Sequence, residues 1–233
     1  MKFKLLLNSL FKSIHRLIFR FTIESNERVT PMNSTFGYHR GEPIDRYYIA
    51  KAVSKYSDKI NGKTLEVGER RYTKQFSNVN ISDSYILNYS EMGGHNQIIG
   101  DLTNLGSFKG QKFDTFICTQ TLNFIYDFQS AINTSFEILN KGSYFIGTVG
   151  SVSHISKYDN DRWGDYWRFT QKSIKKALDE SNFSVLDVTG YGNILAAKAM
   201  FDGCVTEDFD DPSLLDHVDP IYPLVISFLC LKE

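Results

Sequence analysis

Seven short apolar runs punctuate this chain, and between them apolar residues recur every three or four positions. The runs are Lys63–Gly68, Ser84–Tyr89, Gln97–Gly100, Phe113–Thr119, Tyr144–Val149, Phe183–Val188 and Leu224–Leu231. Each is rich in β-branched or aromatic residues and stops at a glycine or polar residue, the signature of short buried strands. Pro43 suits the first turn of a helix that carries Ile44, Tyr48, Ala52 and Tyr56 on one face and ends near Asn61-Gly62. A second stripe, Phe128, Ala131, Ile132, Phe136 and Leu139, closes at Asn140-Lys141-Gly142. Thr170 is placed to cap a third helix through Ile174, Ala177 and Leu178, and a fourth runs from Ile194 to Met200. Strands alternating with helices predict one α/β domain, a seven-stranded, mostly parallel sheet with helices on both faces.

The first thirty residues have another character. Phe3, Leu7, Leu10, Ile14, Leu17 and Phe21 follow a 4,3,4,3,4 spacing, while Lys2, Lys4, Lys12, His15, Arg16 and Arg20 occupy the remaining positions. This is a basic amphipathic helix, expected as an extension (1–30) of the main domain (31–233). Its longest uncharged run, Leu5 to Phe11, is too short to span a bilayer, and no small-residue cleavage site follows. It is suited to packing on the protein's own body, on a partner, or on a membrane surface.

Composition narrows the function classes. The chain has 233 residues and a net charge of −1, so it lacks the global positive charge of a nucleic-acid binder, and no nucleic-acid partner is expected. The near-neutral total conceals opposite ends: six Lys/Arg against two Glu in residues 1–30, and eight Asp/Glu against one Lys in residues 201–233. Three scattered cysteines, Cys118, Cys204 and Cys230, include no C-x-x-C pair. They point to a reducing, cytoplasmic setting without a structural metal, where residues 1–30 could reach the inner face of the membrane. A calcium loop at Asp159-Asn160-Asp161 is excluded, because Trp163 and Thr170 stand where oxygen ligands are needed.

In open α/β sheets ligands bind beyond the carboxyl ends of the strands. Those ends carry Glu66-Val67-Gly68-Glu69, Gly100-Asp101-Leu102-Thr103, Thr119-Gln120-Thr121-Leu122 and Gly150-Ser151. Their order from about Gly41 onward resembles the class I S-adenosylmethionine-dependent methyltransferases. Leu65-Glu66-Val67-Gly68 resembles their first motif, and Glu137-Ile138-Leu139-Asn140-Lys141-Gly142 resembles the turn before strand five. The stretches Gly41-Glu42-Pro43-Ile44-Asp45-Arg46-Tyr47-Tyr48 and Asp161-Arg162-Trp163-Gly164-Asp165-Tyr166-Trp167-Arg168-Phe169-Thr170 are similar to a bacterial subfamily found beside glycosyltransferases in surface-glycan assembly. The resemblance implies S-adenosylmethionine as cofactor, bound by Glu66, Gly68, Asp101, Leu102, Thr119 and Gln120. It implies methyl transfer to a glycan or glycan precursor in polysaccharide biosynthesis, at a hydroxyl, with a glycosyltransferase as partner.

The sequence departs from that family at the turn after strand one. The family's G-x-G-x-G becomes Gly68-Glu69-Arg70-Arg71-Tyr72, with one glycine. Arg70 or Arg71 pairing with the cofactor carboxylate would compensate; otherwise both are solvated turn residues. An inactive scaffold of the same fold, serving a glycosyltransferase, is the alternative function.

A hydroxyl acceptor needs alignment and benefits from a base, for which Asp161 and His154, after strand five, are the candidates. Arg46, Tyr48, Arg162, Trp163, Asp165 and Tyr166 are the candidate substrate contacts, since aromatic rings stack on sugar faces while charged groups take the hydroxyls.

Overall fold

A computed structural model describes residue 14 and residues 29–76, 80–90 and 94–233. The amphipathic helix expected over residues 1–30 therefore lies almost wholly outside the described residues. Residues 33–233 form one compact unit.

The strands are β1 (Gly62–Val67), β2 (Ile81–Asn88), β3 (Gln97–Ile99), β4 (Phe113–Thr119), β5 (Leu139–Gly150), β6 (Ser184–Tyr191) and β7 (Val225–Lys232). They form one sheet in the order β3-β2-β1-β4-β5-β7-β6. β1 to β5 pair in parallel, and β7 runs antiparallel to both β5 and β6. The chain leaves β1 toward β2 on one side and returns to β4 on the other, so the topological switch point lies between the carboxyl ends of β1 and β4.

The main helices are α1 (Ile44–Ser54), α2 (Arg71–Phe76), α3 (Phe128–Glu137), α4 (Lys157–Asn160), α5 (Gln171–Asp179) and α6 (Ile194–Asp202). Strand pleating assigns the core to two layers: Phe116, Phe145 and Phe228 face α3 and α5, whereas their neighbours Ile117, Ile146 and Leu229 face α1 and α6. Phe116 and Phe145 stack 5.2 Å apart, and Phe228 meets Phe145 edge-on at 4.9 Å.

The expected strands all form. The expected helix from Pro43 is shorter than its stripe suggested, giving way at Ser57–Lys59 to a 3-10 turn. Asn140-Lys141-Gly142 does not close α3 but falls inside β5, where the pairing jumps from Phe113–Leu139 to Thr115–Tyr144. Gly142, at φ +77°, and the bond from Asn140 Nδ2 to Asp114 Oδ1 (2.8 Å) hold this bulge. Thr170 caps α5 in a reciprocal arrangement with Ser173.

Candidate active site at the carboxyl edge of the sheet

β1 ends in a turn governed by one buried carboxylate. Glu66 is 2% exposed, and its two oxygens accept from the backbone N–H groups of Tyr72 and Thr73, each at 2.9 Å. The carboxyl thus sits on the first turn of α2, where orphan amides favour its charge, although burial outweighs them and pushes its pKa above the ordinary value. The sequence read Gly68–Tyr72 as a turn alone; the helix begins there because Glu66 caps it. Glu66 accordingly serves the turn and is not free to bind a cofactor directly.

Gly68 has φ +84°, and a Cβ placed on it would meet nothing within 4 Å. Space is therefore open above the switch point. Its N–H donates to the Leu87 carbonyl (2.9 Å), and the Glu69 N–H to Val67 (3.1 Å). Both arginines of the turn are held by the protein, and neither is simply solvated. Arg70 donates to the carbonyls of Ser84 (3.0 Å), His95 (2.5 Å) and Asn96 (3.2 Å), and Arg71 pairs with Glu42 at 2.8 Å.

Asn88, which ends β2, was missed by sequence reasoning. It lies twenty residues after Gly68, the spacing at which nucleotide-binding α/β folds place a ribose-binding side chain. Its amide nitrogen can donate to the Leu87 and Gly68 carbonyls (3.2 Å each).

Asp101 follows β3 with its carboxylate exposed; Oδ1 accepts from the Thr103 N–H at 2.8 Å. Leu102 is buried in the core beside Leu65, Leu87 and Ile98. At the end of β4, Gln120 adopts φ +46°, its N–H bonded to the Thr148 carbonyl (2.8 Å), and Thr119 accepts from Thr121 Oγ1 (3.0 Å). Left-handed backbone at a non-glycine residue is strained and is common at functional sites.

The first turn of α1 supplies Asp45 and Arg46. Arg46 Nε donates to the Tyr38 hydroxyl (3.2 Å), and the guanidinium lies against the Tyr72 hydroxyl without a well-aligned bond. Asp45 Oδ1 and Tyr72 Oη are buried and have no hydrogen-bond partner. Burial pushes the Asp45 carboxyl above its ordinary range, against the pull of Arg46. Tyr48 is not a substrate contact: it is buried in the core and its hydroxyl donates to the Leu215 carbonyl (2.8 Å). Tyr47 likewise donates to Asp216 (2.5 Å).

His154 lies under Phe36, and both its ring nitrogens are buried without partners. Burial first, then the nearby Arg168 charge, holds its pKa below the usual histidine value, which favours the neutral ring. Asp161, the other expected base, forms an exposed ion pair with Lys157 (2.6 Å), which lowers its pKa. Asp165 is also no substrate contact. Its side chain is 1% exposed, grips Arg168 with both oxygens (2.6 and 3.0 Å), and accepts from the Ser156 N–H (3.0 Å).

Arg162 stacks on Tyr158 at 3.5 Å, with Trp163 edge-on to the same ring. Tyr166 meets Tyr126 at 5.4 Å, and these two rings are 49% and 70% exposed. Asn123 ties the two segments together: its carbonyl accepts from the N–H groups of Tyr166 and Trp167, and its side chain bonds Gly150 and Trp167. Tyr126 and Asn123 carried no sequence signal, because the contact joins loops after two different strands.

Residues 61–147 match the family model of the methyltransferase domain, and solved structures agree along most of the chain. A methyltransferase of Archaeoglobus fulgidus, described as S-adenosylmethionine-dependent, superposes with TM-score 0.53 at 12% identity, over 80% of this chain and 94% of its own. The fold is that of the class I methyltransferases. The N-methyltransferase NodS of Bradyrhizobium japonicum, solved with S-adenosyl-L-homocysteine, gives TM-score 0.53 at 12% identity, covering 85% of this chain and 92% of its own. The cyclase SpnF gives 0.55 at 13%, covering 88% and 87%. No curated protein matches the sequence.

For the methyltransferase-type cofactor the fit rests on the open space at Gly68 and on the unpartnered polar atoms of Asp45 and Tyr72. Among the described residues, no helix is long and apolar enough to cross a membrane.

Proposed function

We propose that this chain is an S-adenosylmethionine-dependent methyltransferase acting on a hydroxyl of a glycan or glycan precursor. The observation that carries the reading is the open turn at Gly68, at the switch point of a methyltransferase-type sheet. Gly68, Asp101, Thr119 and Gln120 would hold the cofactor, which supplies an electrophilic methyl group when bound. His154 would take the proton of the acceptor hydroxyl once uncovered from Phe36, since both its ring nitrogens are buried beneath that stack. The exposed rings of Tyr126, Trp163 and Tyr166 suit the apolar faces of a sugar. A glycosyltransferase would be the natural partner, and residues 1–30 could hold the protein at the cytoplasmic face of a membrane.

A second reading, an inactive scaffold for such a glycosyltransferase, is favoured by the turn itself, with one glycine and both arginines engaged by the protein. Isothermal titration with S-adenosylmethionine and S-adenosylhomocysteine separates the two. Micromolar binding, about −8 kcal/mol, lost in Asp101→Ala, supports the enzyme. No heat, with an unchanged melting temperature at millimolar ligand, supports the scaffold.

A further inference from the structure

We propose that Arg46, with Asp45 and Tyr72, is the receptor for the amino-carboxylate end of the cofactor, in place of the backbone amides that a glycine-rich turn would present. The inference rests on the reading that the chain binds S-adenosylmethionine, and it assigns the part of that ligand most affected by the missing glycines.

Four of the six backbone donors between Gly68 and Thr73 are taken, leaving those of Arg70 and Arg71. The N–H groups of Gly68 and Glu69 are bonded to the Leu87 and Val67 carbonyls, and those of Tyr72 and Thr73 to Glu66. The Arg70 and Arg71 side chains are engaged elsewhere. Arg46 differs. Its Nε donates to Tyr38 Oη, and its two terminal nitrogens make no hydrogen bond to a described residue. It lies against Tyr72, whose backbone is bonded to Glu66 at the foot of the same turn.

The neighbouring groups complete a zwitterion receptor. Asp45 Oδ1 is an acceptor without a donor, and Tyr72, 2% exposed, has a hydroxyl without a partner. Buried polar atoms left unpaired weaken a fold, so their persistence side by side is explained by a ligand that pairs them. A guanidinium fork matches a carboxylate in two parallel bonds, and a buried carboxylate oxygen matches an ammonium. An amino-carboxylate carries both groups on one carbon.

The test compares S-adenosylhomocysteine with 5′-methylthioadenosine, which keeps the adenosine and sulfur but lacks the amino-carboxylate, by titration calorimetry on the full chain. The wild type should prefer S-adenosylhomocysteine. Arg46→Gln should weaken S-adenosylhomocysteine by about tenfold or more and leave 5′-methylthioadenosine unchanged, the usual size of a lost charge-assisted bond. Asp45→Asn should act in the same direction. Retained 5′-methylthioadenosine binding shows that a variant is folded; should Arg46→Gln fail to fold, Arg46→Lys, which keeps the charge but not the fork, gives the same comparison. A wild type without preference, or variants that weaken both ligands equally or neither, overturns the proposal while leaving cofactor binding intact. A wild type that binds neither ligand overturns the methyltransferase reading as well.

Discussion

Phe36 lies nearly flat on His154, with ring centroids 3.9 Å apart and planes 24° from parallel. Phe36 holds this position at φ +57°, in a segment clamped by Asn33 to Asp202, by Arg40 to Asp208 and by Glu42 to Glu207. The stack shields an imidazole whose nitrogens are both unpartnered, and it brings a residue before the domain's first helix over the loop after β5.

That shielding makes a pH prediction. The native pKa of His154 lies below its ordinary 6.5, so on acidification the unfolded chain takes up the proton first. The native state therefore loses stability as the pH falls through that window, with no contribution above it. His154→Phe should preserve the stack and reduce the fall in melting temperature between roughly pH 8 and 5. An unchanged slope would count against a buried neutral imidazole.

Glu66 should be a stability residue first. Glu66→Gln replaces one acceptor oxygen with a donor that faces a backbone N–H, so urea unfolding should show a loss of about 1–3 kcal/mol. A loss under half a kilocalorie, of the size typical of surface changes, would mean that the cap does not hold α2.

The two carboxylates of the segment after β5 should behave oppositely. Asp165→Asn removes the charge paired with Arg168 and turns one of the two acceptor oxygens into a donor, and should cost roughly 1–3 kcal/mol, with faster proteolysis around residues 151–168. Asp161→Asn breaks only an exposed i,i+4 pair and should cost at most about 0.5 kcal/mol. Equal effects would refute the assignment of Asp165 as the organiser of this loop.

Gly68→Ala should separate strain from ligand space. Its left-handed φ costs a β-carbon about 1 kcal/mol, without a steric clash. If the open space is where the cofactor lies, S-adenosylhomocysteine affinity should fall further than stability does; a fall in melting temperature with unchanged affinity would place the ligand elsewhere.

The seven strands, the α3 stripe and the Thr170 cap were legible in the sequence because each depends on residues a few positions apart. Apolar spacing reports which face of a strand or helix is buried, and a threonine caps the helix that follows it, whatever the rest of the chain does. The candidate site was legible only as a set of strand ends. Gly68, Asp101, Thr119 and Gln120 stand at the carboxyl edge because the parallel topology puts them there.

What each charged side chain does was decided by the tertiary structure. Arg70 and Arg71 are neighbours in the chain, yet one holds carbonyls of the β2 and β3 region and the other a glutamate before α1. Asp161 and Asp165 share one motif, yet one is exposed and the other buried on Arg168. Arg46 and Tyr72 lie close because α1 packs against α2. Burial and partner set a carboxylate's or guanidinium's role, and both come from segments remote in sequence. Local pattern therefore determined where the elements lie, while long-range packing decided which polar groups are paired within the fold and which are left unpaired.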